Sequence, residues 1–206
     1  MDGAGRPRRL AAPLPRSARA ERARGVVVII RRERAGDELG IDEVHRQAFA
    51  AASEPGSQPA EVALVRALRA SPSWVPALSL VADGGDGIVG HVCLTRGLLR
   101  GTGADTGALG LGPLGVLPAA QGHGVGSALM HAALGAAEAL GETVVVLLGN
   151  PAYYRRFGFG PASDAGIVPD VGEWGGPPFQ ARVLAGEHGS VEHCVFRYAE
   201  PFYDLV

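Results

Sequence analysis

The sequence at residues 121–126, Gln-Gly-His-Gly-Val-Gly, combines residue types that serve a recognisable chemical purpose. It follows an apolar run, and a helical pattern begins at Val125. Glycines let a ligand approach the backbone, and the start of a helix offers unpaired N–H groups and the positive end of the helix dipole. The pattern therefore indicates an anion site suited to phosphate, although glycines before a helix can also simply form a turn.

The residue types exclude two common phosphate-binding loops. The dinucleotide fingerprint Gly-x-Gly-x-x-Gly, counted from Gly122, would need glycine where Ser127 stands, and the acidic residue expected about 20 positions later is missing from the valine run at 144–146. The Walker loop needs a lysine, and all 19 basic residues of the chain are arginine. If the loop binds phosphate, its ligand therefore belongs to another class of phosphate compound.

The composition limits the remaining function classes. With 47% hydrophobic residues among 206, the chain can form the core of one domain, predicted over residues 25–206. Residues 1–24 hold seven arginines and two acidic residues, which leaves a net charge of −7 for the rest. We expect this segment to be a disordered Arg/Ala/Pro-rich tail, or to result from a start codon assigned too far upstream. An organelle transit peptide is the alternative.

A mildly acidic body argues against a nucleic-acid partner. No apolar run approaches the ~20 residues of a membrane-spanning helix, so we predict a cytoplasmic protein with no membrane partner. Cys93 and Cys194 belong to no Cys/His cluster, which predicts buried reduced thiols and no metal site.

Periodicity and turn signals predict the element order β-α-α-β-β-β-α-β-α-β-β, a mixed α/β fold. A buried first strand is expected at 26–30, and helices at 37–50 and 62–68. Leu39, Ile41, Val44, Ala48 and Phe49 have the spacing of the apolar, core-facing side of the first helix, and an antiparallel hairpin follows at 77–95. The fourth strand, 108–117, contains Pro113 and should be bulged near its middle. Because a helix at 125–140 connects it to the strand at 143–148, these two strands should be parallel. The last helix is predicted at 151–157, and a long Pro/Gly-rich loop leads from it to the last two strands, at 179–184 and 191–198.

The motif Gln121-x-x-Gly124-x-Gly126, with the preceding residues 114–118, resembles the signature of the GNAT superfamily of N-acetyltransferases. The resemblance extends in element order from Val26 to the C-terminus. It implies a GNAT-like mixed, mostly antiparallel sheet with splayed parallel strands 4 and 5, flanked by helices. It also implies acetyl-CoA as co-substrate, with pantetheine and pyrophosphate held in turn by Leu114, Gly115, Val116, Gln121, Gly122, His123, Gly124, Val125, Gly126 and Ser127. The His123 side chain should face solvent beside the phosphate.

A second stretch, residues 149–159, is similar to the family motif Tyr-x-x-x-Gly-Phe, with Tyr154 in the tyrosine position. The resemblance implies that Tyr154 is the general acid that protonates the departing thiolate, a role that suits a phenol with a pKa of about 10. It also places Asn150 at the cofactor, while Tyr153 is expected to pack. The wider phrase resembles a poorly characterised bacterial branch, which names no substrate.

The residue that removes the proton from the amine is not evident. The fourth strand carries no ionisable side chain, so an ordered water is our default, with Glu61 and His91 as further candidates. In the family, the acceptor pocket is lined by segments that correspond to residues 50–59 and 160–178. The second of these carries Trp174 beside Asp170 and Glu173, which would suit a cationic amine, although such a loop with one tryptophan is also typical of ordinary surface packing.

These features predict an N-acetyltransferase that moves an acetyl group from acetyl-CoA to a primary amine by direct attack. The acceptor would be a small-molecule or peptide amine, and a homodimer is possible. One alternative is a non-catalytic acyl-CoA-binding or regulatory module, and an acyl group other than acetyl also stays open. The intact Tyr154 favours the enzyme, whereas the strand without a base favours the module.

Overall fold

A mixed nine-stranded sheet with helices on both faces forms the body of the protein in a computed structural model. The structure describes residues 27–54, 56–101, 105–184 and 193–205. The predicted tail at 1–24 lies outside the described residues. Over the described part, the mixed α/β class with a mostly antiparallel sheet is confirmed.

The strands are β1 (Ile29–Arg32), β2 (Trp74–Asp83), β3 (Ile88–Arg100), β4 (Thr106–Val116), β5 (Val144–Leu148), β6 (Gly160–Pro161), β7 (Ile167–Pro169), β8 (Phe179–Val183) and β9 (Cys194–Arg197). The α-helices are α1 (Glu38–Ala48), α2 (Ala60–Ala70), α3 (Val125–Ala139) and α4 (Pro151–Tyr154). No helix in the part of the chain that the structure describes is both long and apolar enough to cross a membrane.

The sheet order is β1-β2-β3-β4-β5-β8-β6, and β9 pairs with the far end of β3 and with β7. The β4–β5 pair is parallel, as predicted, and so is the short β7–β9 pair. β4 and β5 are paired only at Leu109–Val145 and Gly110–Val146. Beyond Gly110 the two strands separate, which leaves a wedge-shaped gap in the middle of the sheet.

The predicted distortion of β4 is present at Pro113. The register between β3 and β4 shifts between the pairs Leu94–Leu111 and Val92–Leu114, so two residues of β4 oppose one residue of β3. Proline has no N–H to donate to a ladder, and the extra residue absorbs this interruption as a bulge.

The two faces of the sheet carry different helices. Leu80 and Ala82 point to the face that packs against α3, whereas Val81 points to the opposite face and packs against α1 and α2. Adjacent strand residues alternate between faces, so an uninterrupted apolar run such as residues 80–82 supplies both cores. The C-terminal segment after β9 packs on the α2 side through Ala199.

Three details of the sequence prediction are wrong. The first strand is Ile29–Arg32, at the edge of the sheet, and Ile29 is 67% exposed, because only one neighbouring strand covers it. Leu39, predicted to face the core, is 80% exposed. The fully buried His45 shares the inner face of α1 with Ile41 and Val44. The Pro/Gly-rich segment at 160–178 contains two short strands, β6 and β7, that were predicted as loop.

A buried polar network explains why a histidine can lie inside. His45 Nε2 and His91 Nδ1 are hydrogen-bonded at 2.8 Å, and His91 Nε2 is 3.0 Å from the Ser79 hydroxyl, which donates to Glu33. Arg69 pairs with Glu33 at 2.7 Å. Burial raises the pKa of Glu33, but His91, Arg69 and Ser79 around the carboxylate outweigh this and lower it to about 2. Burial lowers the pKa of His45 to about 2, so its ring is neutral.

Candidate functional site

One cavity of about 1050 Å³ opens where β4 and β5 separate. It brings together ten of the twelve residues predicted for the site, namely Leu114, Val116, Gln121, Gly122, Gly124, Val125, Gly126, Ser127, Asn150 and Tyr154. Gly115 and His123 do not line it. A Cβ atom on Gly115 would lie 2.9 Å from His45 Nδ1, so this glycine allows close packing of α1 against β4.

The glycine loop has the geometry of an anion site. Gly122 and Gly124 have φ angles of +75° and +85°, a left-handed conformation that other residues adopt only at a cost. Gly124 is the N-cap of α3 and provides no side-chain cap, and the first turn of α3 contains no acidic residue. The backbone amides of residues 125–127 are therefore available to an anion at the positive end of the helix dipole.

The third glycine of the loop has a different role. Gly126 has a helical conformation, and a Cβ atom there would lie 2.7 Å from the Tyr153 hydroxyl. The absence of a side chain thus lets this hydroxyl approach the loop backbone. The Arg156 guanidinium lies 4.6 Å above the Tyr153 ring and also lines the cavity, which adds a positive charge on this side.

The loop is braced by its own polar groups. The Gln121 side chain donates to the Val116 carbonyl at 3.0 Å, which ties the loop to the end of β4. The His123 ring is exposed, as predicted, and its Nδ1 lies 2.7 Å from the Gln121 carbonyl oxygen. These bonds hold the glycines in place before any ligand arrives.

Tyr154 lies on the cavity wall with its ring against the backbone of Gly149, where a Cβ atom would lie 2.2 Å from the ring. Its ring packs edge-on to Tyr153, with centroids 4.9 Å apart. Burial raises the pKa of Tyr154 to about 12, so the phenol is protonated at neutral pH. Asn150 caps α4, because its side chain accepts a hydrogen bond from the Ala152 amide at 3.0 Å.

The structure separates the candidates for the acceptor side. Glu61 lines the cavity, whereas His91 is fully buried in the polar network and does not. Trp174 lines it as well. Its neighbour Asp170 instead accepts a hydrogen bond from the Tyr203 hydroxyl, so it is not the carboxylate beside the ligand.

Sequence reasoning missed several lining residues that come from distant elements. Phe49 follows α1, Leu64 belongs to α2, and Tyr198 and Phe202 follow β9. In the sequence these four look like ordinary core residues, whereas the further lining residues Gly149, Tyr153 and Arg156 lie within the motif at 149–159. Among the described residues, no group of three or more His, Cys, Asp or Glu side chains could hold a metal ion.

The chain is similar to known acetyltransferases. Residues 76–161 match the family model described as an acetyltransferase (GNAT) domain. The uncharacterized N-acetyltransferase YjhQ of Escherichia coli K12 is 36% identical over 131 residues, which cover 63% of this chain and 68% of the relative. The uncharacterized N-acetyltransferase YhbS of the same organism is 33% identical over 133 residues, which cover 64% of this chain and 73% of that protein.

Solved structures give the same result at the level of the fold. The crystal structure of Escherichia coli YhbS in complex with CoA superposes with a TM-score of 0.72 and 30% identity, covering 85% of this chain and 92% of the other. A GNAT family acetyltransferase from Brucella melitensis in complex with acetyl-CoA gives a TM-score of 0.65 and 32% identity, with 86% and 99% of the two chains covered.

Proposed function

Because this chain belongs to the GNAT acetyltransferase family and is an acetyl-CoA-dependent acyltransferase, we propose that it transfers the acetyl group to a primary amine by direct attack. The observation that carries the proposal is the cavity itself, in which the glycine loop, the free part of β4 and Tyr154 meet at the gap between β4 and β5. The related structures that contain CoA and acetyl-CoA support the same cofactor here.

The cofactor would lie along the α3 side of the cavity. Its pyrophosphate would accept hydrogen bonds from the amides of residues 125–127, and its pantetheine arm would run beside Leu114 and Val116, where β5 no longer pairs with β4. The glycine at 115 contributes backbone only. The Arg156 guanidinium is placed to attract a phosphate of the cofactor.

The reaction needs a neutral amine nitrogen, which attacks the thioester carbonyl carbon. The new C–N bond forms, the C–S bond breaks, and the departing thiolate takes a proton from the Tyr154 hydroxyl. This phenol is protonated at neutral pH, so it has a proton to donate. The proton lost by the amine passes to Glu61, directly or through water, since Glu61 is the carboxylate among the described lining residues.

The proposal is tested by release of free thiol from acetyl-CoA in the presence of a panel of primary amines, with mass spectrometry of the products. We expect amine-dependent thiol release and an N-acetyl product. Tight CoA binding by calorimetry without turnover on any amine would contradict acetyl transfer. That outcome would favour a non-catalytic acyl-CoA-binding module, for which the lack of an ionisable side chain on β4 is the supporting feature.

A further inference from the structure

The two sides of the cavity differ in origin and in charge. On the α3 side, Tyr153 and Tyr154 pack against the core beneath α3 and Arg156 supplies a positive charge. On the opposite side the wall is built by the end of α1, by α2, by the segment between β7 and β8 and by the C-terminal segment, and its side chains are Phe49, Glu61, Leu64, Trp174, Tyr198 and Phe202. The cavity therefore has two arms. One is lined by the Arg156 cation, and the other is lined by the Glu61 carboxylate and by aromatic rings.

Glu61 supplies the charge of the second arm. It lies in the first turn of α2 and forms no ion pair or hydrogen bond within the described residues, although the chain pairs many of its other acidic groups with arginine. The other side chains of this wall are apolar or aromatic. A free carboxylate beside aromatic rings is complementary to an ammonium group, because both the charge and the ring faces attract a cation.

Tyr198 supplies an unused hydrogen-bonding group on the same arm. The side chain is 5% exposed and lines the cavity, yet its hydroxyl has no hydrogen-bond partner in the described structure. The ring is held against Gly110, the last β4 residue paired with β5, where a Cβ atom would lie 2.7 Å from the ring. A buried hydroxyl without a partner is costly, so one carried by a residue that also lines the cavity indicates a group that a ligand completes.

We infer that this arm binds the acceptor, and that the acceptor is a primary ammonium carried on an aromatic or apolar group. This inference rests on the proposed acetyl transfer. Glu61 attracts the ammonium, the Tyr198 hydroxyl oxygen accepts a hydrogen bond from that same ammonium, and the apolar body packs against Phe49, Trp174 and Phe202. A long polycation would leave its other charges against these apolar walls without partners, so the arm discriminates against it.

The experiment compares 2-phenylethylamine with spermidine as acceptors for the full chain with acetyl-CoA. We expect kcat/KM for 2-phenylethylamine to exceed that for spermidine by about 10-fold or more. Tyr198→Phe should raise the KM for 2-phenylethylamine about 5- to 10-fold, the loss of one hydrogen bond, and leave the KM for acetyl-CoA unchanged. Its melting temperature should be equal to or above that of the wild type, because the removed hydroxyl has no partner.

Thr95→Val is the matched control. Thr95 also carries a fully buried hydroxyl without a hydrogen-bond partner, and it lies opposite Gly110 in the sheet, but it does not line the cavity. It should change the melting temperature in the same direction and leave the KM for 2-phenylethylamine unchanged. An acceptor KM that rises equally in both variants, or in neither, would overturn the role of Tyr198.

The other outcomes separate the two proposals. Efficient acetylation of spermidine but not of 2-phenylethylamine would overturn the acceptor class and leave acetyl transfer standing. Turnover of neither amine, nor of any other in the panel, would contradict acetyl transfer itself. Calorimetry of 2-phenylethylamine with the CoA-saturated protein then tests the acceptor arm. Weaker binding by Tyr198→Phe than by the wild type supports the inference. Equal affinity of the two proteins, or no binding to the wild type, overturns it.

Discussion

Gly124 offers a test in which backbone strain and charge can be separated. Its φ angle is +85°, and a Cβ atom placed on it would have no other heavy atom within 4 Å. Alanine there meets no steric obstacle, so its cost is the left-handed conformation alone, about 1–2 kcal/mol. Gly124→Ala and Gly124→Glu should therefore both lower the free energy of unfolding by about this amount.

The two variants should differ in CoA affinity. A carboxylate at about 5 Å from a phosphate charge, at an effective dielectric constant of about 20, is disfavoured by about 3 kcal/mol. We therefore expect Gly124→Glu to bind CoA roughly 100-fold more weakly than Gly124→Ala. Isothermal titration calorimetry at low salt measures this difference, and urea unfolding measures the shared strain.

Salt dependence is a further control. Added KCl screens exposed charges, so it should reduce the difference in CoA affinity between the two variants. Equal CoA affinity of Gly124→Ala and Gly124→Glu would refute the placement of the pyrophosphate at this loop, whatever their stabilities. A difference in CoA affinity that does not change with salt would indicate a steric effect of the longer side chain rather than a charge effect.

Three further predictions concern separate parts of the molecule. Tyr154→Phe should lower kcat by about 100-fold or more with CoA affinity retained, and unchanged kcat would remove its role as general acid. Glu33→Gln should cost about 2–3 kcal/mol of stability at pH 7. Because the pKa of Glu33 is lowered to about 2, its contribution is full above the unfolded pKa of 4.5 and is lost as the pH falls toward 2. Urea unfolding at pH 7, 5 and 3 should therefore show a smaller stability difference between the wild type and Glu33→Gln at the lowest pH. A stability difference that stays constant would contradict the charge of Glu33 as its cause. Gly110→Ala places a Cβ atom 2.7 Å from the Tyr198 ring. In steady-state assays it should raise the KM of the amine acceptor more than the KM of acetyl-CoA. Equal changes in the two KM values would contradict the separation of the two arms.

Local patterns were sufficient for most of the fold. The hairpin of β2 and β3, the helix after the glycine loop and the parallel β4–β5 pair were all predicted, because turn glycines and apolar periodicity act over short distances. Pro113 likewise predicted the bulge in β4. The edge position of β1 and the exposure of Leu39 could not be predicted, since each depends on which distant segment covers the residue.

The sequence by itself predicted the cofactor side of this protein. The residues that would hold phosphate and pantetheine are nearly contiguous, from Leu114 to Ser127, and backbone conformation, which glycine and proline dictate locally, makes that site. The sequence also offered Glu61 and Trp174 for the proposed acceptor side, but only the tertiary structure placed them in one wall with Tyr198. This wall joins α1, α2, the segment between β7 and β8 and the segment after β9, which are far apart in the chain, and the buried hydroxyl of Tyr198 became meaningful only when the packing around it left that group without a partner.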